Sequence, residues 1–383
     1  MNHKRLFIPG PTEVRPEILQ ALATPQIGHR SKDYSALQER CVKKLRQFLN
    51  IKDDYETKKD DEYKGVMLIF TCSSSGVMEA AVRNLVAKKC LNFVNGAFSD
   101  RWSKITVANG IPCTKCEVDW KSGVGRAITP DFVMAEMAKD DYDAITVVWN
   151  ETSTGVMSPI PEIGKKLKDK YPNVMFLVDA VSNMAGVKMY PDELGIDVLL
   201  AGVQKAFALP PGLAVGYISK DAMKKAESVK NRGLYLDFID LAKRQKKDWQ
   251  TPSTPSIPHM FALDKQMDFI LAEGEKRFAR HKALADVVRG YARKNWGGDK
   301  SLYPEAPYFS DTLTCINNTR GISIAKLNNK LGEEYMQISN GYGDLKEKTF
   351  RIAHMGDTQM WEIEGLLEAI ERIISKYGSE LKP

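Results

Sequence analysis

The stretch Val174-Met175-Phe176-Leu177-Val178-Asp179-Ala180-Val181-Ser182 decides the fold. Its five apolar residues lack the alternation of a strand with one wet face, so it reads as a strand buried on both sides. Asp179 follows directly, where such a strand ends. A desolvated carboxylate needs a partner. That partner is either a ligand, because open α/β sheets bind ligands at their carboxyl edge, or a local cap or arginine.

Working outward, the same short apolar character recurs at residues 66–70, 90–94, 112–118, 144–149, 198–201 and 214–219. Helical periods lie between them, at 32–49 and at 77–89, where Val77, Ala81 and Leu85 form an i, i+4 stripe. Strands alternating with helices predict an α/β fold, a large α/β/α domain around a mostly parallel sheet. Residues 52–64 are polar, without period, and are expected to carry little order. Residues 249–258 hold three prolines and are expected outside regular structure. A long helix over 259–291 leads into a smaller α+β unit. That unit closes on an amphipathic helix with Ile363, Leu366, Leu367, Ile370, Ile373 and Ile374. The chain thus divides into an N-terminal arm (1–15), a large domain (16–272) and a small C-terminal domain (273–383), the boundary falling near Ala272.

Composition narrows the function. The chain has 383 residues, 43% apolar and 27% charged, enough to bury a core without metal or disulfide staples. Its net charge of +6 is interspersed with acids and gives no footprint of a nucleic-acid binder. No apolar run approaches the ~20 residues of a membrane helix, and the N-terminus shows no signal core, so a cytoplasmic protein is expected. Cys113-Thr114-Lys115-Cys116 has half the spacing of a zinc or redox site, but strand alternation sends its two thiols to opposite faces. No metal is expected.

Three features carry chemistry. Ser73-Ser74-Ser75-Gly76 lies between a strand end and a helix start, where free N–H groups and the helix dipole favour an anion. Capping needs one serine, not three. Asp179 is the acid at the sheet edge. Lys205, in Gly202-Val203-Gln204-Lys205-Ala206-Phe207, follows another apolar strand, and desolvation there would make its amine a nucleophile toward carbonyls. A strand-end lysine on its own reads as a snorkelling surface residue. An anion cradle, a buried acid and a desolvated lysine together are what pyridoxal 5'-phosphate requires.

Several motifs in order then give a resemblance across nearly the whole chain. They are Pro9-Gly10-Pro11-Thr12, Ser73 to Ala80, Glu151-Thr152-Ser153-Thr154-Gly155, Asp179-Ala180-Val181-Ser182, Gln204-Lys205-Ala206 with Pro210-Pro211-Gly212, and Phe350-Arg351-Ile352. The sequence resembles the class V aminotransferases of the alanine–glyoxylate/serine–pyruvate type, which are fold-type I pyridoxal-phosphate enzymes. The resemblance implies that Lys205 carries the covalent link to the cofactor and Asp179 pairs with its pyridine nitrogen. It implies that Ser74 and Ser75 contact the phosphate, with Gln204 beside it, and that Phe98 stacks on the ring. It puts Thr152 near the 3-oxygen, and Thr251 and Thr254 at the phosphate of the neighbouring subunit of a homodimer. Arg351 is implied to grip an α-carboxylate.

The resemblance implies a ping-pong transfer from alanine or serine to glyoxylate or pyruvate. The N-terminal loop Gly28-His29-Arg30-Ser31 is implied to approach the substrate side chain, and its His29-Arg30 pair also fits a phosphoserine- or aspartate-type enzyme. Arg30 alternatively pairs with an acid of the following helix. A cysteine desulfurase would need a reactive cysteine on a flexible loop, whereas Cys315 reads as a buried strand residue.

Overall fold

A computed structural model describes residues 3–53, 55–58 and 62–383. Seven strands build the main sheet: β2 (Gly65–Phe70), β3 (Cys90–Val94), β4 (Cys113–Glu117), β5 (Ala144–Val148), β8 (Met175–Asp179), β9 (Val198–Gly202) and β10 (Ala214–Ser219). Their order is β2-β10-β9-β8-β5-β3-β4. All neighbouring pairs are parallel except those of β10, which runs antiparallel to β2 and β9. Successive residues of a strand face opposite ways, and here both ways are apolar. Phe176, Val178, Ile145 and Leu199 pack into one core, while Leu177, Ala144, Val198 and Leu200 pack into the other. That is why the strands read as unbroken apolar runs. Cys113 and Cys116 pack against these two opposite cores.

A second, four-stranded sheet has the order β1-β12-β13-β11, with β1 (Arg5–Phe7), β11 (Leu313–Asn317), β12 (Met336–Asn340) and β13 (Thr349–Ala353). The arm strand β1 pairs in parallel with β12, more than three hundred residues later in sequence. The last helix, Met360–Tyr377, buries Ile363, Leu366, Leu367, Ile370 and Ile373 in this unit, with Ile374 partly buried beside them. A two-stranded hairpin, β6 (Asn150–Glu151) with β7 (Val156–Met157), had no signal in the sequence.

Three expectations change. The helix expected over 77–89 is Ser74–Leu85. It starts at the serines because Ser73 is extended, and it stops where the N–H groups of Ala87, Lys88 and Lys89 donate to the Asp143 carboxylate instead. The long helix over 259–291 is two, Ile257–Glu273 and Glu275–Asn295, broken at Gly274, whose φ of +55° lies outside the right-handed helix region. In the polar segment 52–64, residues 54 and 59–61 lie outside the described residues, but Tyr55 and Tyr63 are buried with ring centroids 4.8 Å apart. Aromatic packing therefore interrupts that polar run. No helix among the described residues is long and apolar enough to cross a membrane.

Candidate active site

Val148, Asp179 and Leu200 stand side by side across β5, β8 and β9. The turns that follow these strands open on a cavity of about 150 Å³ at the carboxyl edge of the sheet. It is lined by Ser73, Ser74, Ser75, Phe98, Thr152, Asp179, Gln204 and Lys205. Eight of the residues singled out from sequence thus meet in one place.

Lys205 is buried, 7% exposed. Burial first, and then the Arg351 guanidinium, push its amine down to about 7, against the pull of Asp179 and Glu151. Its Nζ donates to Thr152 Oγ1 at 3.3 Å and lies 5.1 Å from the centroid of the Phe98 ring. The Thr152 hydroxyl in turn shares a short hydrogen bond with Ser182. Asp179 is 3% exposed, and burial pushes its carboxyl up to about 7. The Val181 N–H, which donates to it at 2.7 Å, opposes that rise, as do Lys205 and Arg101; Glu151 adds to it. Burial thus moves the two groups in opposite directions, the acid up and the amine down, each toward its neutral form.

Two helix N-termini reach this edge. That of Ser74–Leu85 has Ser73 at its N-cap with no capping bond from the side chain, so its hydroxyl is left for another partner. That of Ala97–Ala108 is filled by Glu151, which accepts from the backbone N–H groups of Phe98 at 3.2 Å, Ser99 at 2.9 Å and Ser153 at 3.1 Å. Gly96 permits this approach: a Cβ there would come within 2.3 Å of Glu151 Cγ.

Arg351, on β13, is 6% exposed. It donates to the Thr152 carbonyl at 3.3 Å and to the Asn340 carbonyl at 3.0 and 3.2 Å, and makes no ion pair among the described residues. Its guanidinium also lies 5.6 Å from the centroid of the Tyr342 ring, and its planar fork has the chemistry to take a carboxylate.

His29, Arg30, Thr251 and Thr254 do not line this cavity. The Thr251 hydroxyl donates to the Ser253 carbonyl at 2.7 Å, and Thr254 is exposed. Arg30 donates to the carbonyls of Thr251 at 2.5 Å and Pro252 at 2.8 Å. It braces the proline-rich loop, and no ion pair with the following helix forms among the described residues. Thr251 and Thr254 border a separate small cleft beside Thr71, whose hydroxyl receives the Ser256 N–H at 3.1 Å.

The sequence reading missed Arg101, Asn150 and the work of the N-terminal arm. Arg101 lines the cavity, and its guanidinium lies 5.1 Å from the Phe98 ring. Its i+3 position after Phe98 on a helix was the available signal. Thr12 holds the lysine turn, its N–H on the Gln204 carbonyl at 3.0 Å and its hydroxyl on the Lys205 carbonyl at 2.9 Å. Gly10, with φ +115°, makes room: a Cβ would stand 3.3 Å from Lys205 Cδ and Cε.

The profile of the class V aminotransferase family matches residues 15–295. An uncharacterized aminotransferase of Methanocaldococcus jannaschii is 35% identical, over 99% of this chain and 94% of its own. The serine–glyoxylate aminotransferase of Methylorubrum extorquens is 28% identical, over 100% of this chain and 93% of its own. The crystal structure of an aspartate aminotransferase from Thermus thermophilus superposes with a TM-score of 0.84 at 25% identity, over 97% of this chain and 99% of that one. The cofactor of this family is pyridoxal 5'-phosphate, and the residues present fit it. The serines and helix N-terminus suit a phosphate, the buried acid and amine suit the ring nitrogen and aldehyde, and Asn150 Oδ1 is buried in the wall with no partner among the described residues. With that match over most of its length and a cavity of matching chemistry, the chain belongs to the class V aminotransferases and is a pyridoxal-phosphate-dependent transaminase.

Proposed function

We propose that this enzyme moves the amino group of alanine or serine to glyoxylate or pyruvate, in the cytoplasm, as a homodimer. The observation that carries the site assignment is the Lys205 amine, buried and pushed down to about 7 in one cavity with Asp179 and the three serines. Bound there, the cofactor supplies an electron sink for the pair left at the substrate's Cα. Ser73, Ser74, Ser75 and the helix N-terminus would hold its phosphate, with Gln204 beside them; Asp179 would pair with its ring nitrogen, Phe98 would stack on the ring and Thr152 would lie near its 3-oxygen. Lys205 Nζ, whose amine burial pushes down to about 7, would be the group that takes and returns the substrate's α-proton. Arg351 grips the α-carboxylate in two-pronged fashion. The oxo product leaves before the acceptor enters the same site, so the kinetics are ping-pong. Thr251 and Thr254, which do not line their own cavity, reach the phosphate of the second subunit, and His29 with Arg30 shapes the substrate entrance. The boundary between the large and small domains lies at residues 272–273.

The serine–glyoxylate relative supports the small donor. One observation favours a second reading, a donor with an acidic side chain such as aspartate or phosphoserine. Arg101 brings a guanidinium to the cavity and makes no ion pair among the described residues. Single-turnover half-reactions with alanine, serine, aspartate and phosphoserine decide. Faster turnover of alanine or serine supports the first reading, and preference for the two acids that disappears in Arg101→Gln establishes the second. The desulfurase reading loses its nucleophile, because Cys315 is fully buried in β11 and burial pushes its thiol up to about 11.

A further inference from the structure

Lys205 sits in a turn outside regular structure, between β9 and Pro210. Buried carbonyls in such a turn must each find a donor from elsewhere. The Gln204 carbonyl takes the Thr12 N–H, and the Lys205 carbonyl takes the Thr12 hydroxyl. The Ala206 carbonyl accepts from Arg277 Nη2 at 2.7 Å, and the Phe207 carbonyl from Gln266 Nε2 at 2.8 Å. Ala208 then turns through a left-handed φ of +56°, which a non-glycine residue adopts only when its surroundings enforce it.

Two of these donors, and a residue of the arm that supplies the third, converge on one carboxylate. Asp357 Oδ1 receives Arg277 Nη1 at 3.0 Å. Its Oδ2 receives Gln266 Nε2 at 3.1 Å and Arg15 Nε at 2.7 Å, and Arg15 lies three residues beyond Thr12. Arg277 is 1% exposed and Gln266 fully buried, so neither side chain can swing to water. Gln266 keeps its oxygen buried without a partner among the described residues while both its N–H bonds are spent on Phe207 and Asp357. A buried orphan acceptor is costly, which points to a role for the amide beyond packing. The turn that carries Asp357 also touches the lysine turn directly: a Cβ on Gly356 would stand 3.0 Å from Ala208 Cβ.

We propose that Asp357 is a positioning residue for Lys205, a single carboxylate just past β13 that aims the side chains holding the lysine turn. The small unit thereby sets the direction from which the amine approaches the cavity. This rests on Lys205 being the reacting amine. In the cofactor-free protein, Asp357→Asn is expected to speed hydrogen exchange at the amides of Ala208 and Leu209 about tenfold, while those of β5 stay unchanged. In the loaded enzyme kcat falls about tenfold with KM for the donor within twofold, the mark of lost alignment. Asp357→Glu restores part of both. Should Asp357→Asn not fold, Gln266→Met keeps the Asp357 charge and its arginine partners and removes the amide link between Asp357 and the Phe207 carbonyl, with the same pattern at about threefold. Unchanged exchange at residues 208–209, exchange that rises equally in β5, or a loss confined to KM each overturns the proposal. A silent Asp357→Asn beside an inactive Lys205→Ala sinks this inference alone, whereas an active Lys205→Ala sinks the assignment beneath it.

Discussion

Two helices begin at the same edge of the main sheet, and they end their backbone demands in opposite ways. Ala97–Ala108 meets a carboxylate of its own chain, Glu151, on two of its backbone N–H groups, those of Phe98 and Ser99. Ser74–Leu85 meets three serines and no acid, with the Ser73 side chain making no cap. A helix start satisfied from within is structure, and one left with spare donors at a cavity is a binding surface. The difference supports the proposed placing of the phosphate at the serine helix, while the other helix is a wall of the cavity that carries Phe98.

The comparison can be broken most decisively at the lysine that lines the same cavity as the open helix. Lys205→Ala should cut transamination by at least about 10⁴-fold and abolish the covalent cofactor signal; borohydride labelling of the parent enzyme should map to Lys205 alone. Next in size is a stability effect in the cofactor-free protein. Because the folded-state amine is pushed down to about 7 from an ordinary 10.5, its charged form opposes folding below pH 7, and that penalty fades as pH rises from about 7 to 10.5. Lys205→Met should therefore raise the unfolding free energy by a few kcal/mol at pH 6 and by almost nothing at pH 10.5, read by denaturant titration. A gain that grows with pH would refute the burial of the amine.

On the closed side, Glu151→Ala leaves buried N–H groups without an acceptor. It should lower unfolding free energy by about 2–4 kcal/mol whether or not cofactor is present. Ser74→Asp tests the open side: a fixed carboxylate at that N-terminus suits the helix dipole but repels a phosphate. Cofactor affinity should drop about 100-fold while the melting temperature holds, and retained affinity would move the phosphate elsewhere. Smallest is Ser73→Ala, which removes no cap and should cost stability less than about 0.5 kcal/mol.

Which parts were readable in the sequence follows from how local the causes are. Strands such as β5 and β8 declared themselves because both faces are apolar, and the acid ending β8 marked the ligand edge. The serine turn was legible for the same reason, being complete within a few residues. Arg30 was not: its guanidinium is used by carbonyls of residues 251 and 252, a contact more than two hundred positions away that no spacing announces. Glu151 was quoted only within a motif, since its donors belong to another helix. The early end of the helix at Leu85 depended on Asp143, equally remote. Gly274 could have been read as a break, for glycine inside a helical period is a known interruption.

The arm strand β1 has consequences for biosynthesis. Residues 5–7 are made long before their strand partner among the described residues, Met336–Asn340. Thr12, a few residues along, donates to the Lys205 carbonyl. Vectorial synthesis therefore makes β1 wait for a strand more than three hundred residues later before it can pair, so the arm joins the fold after the main sheet's strands have been made.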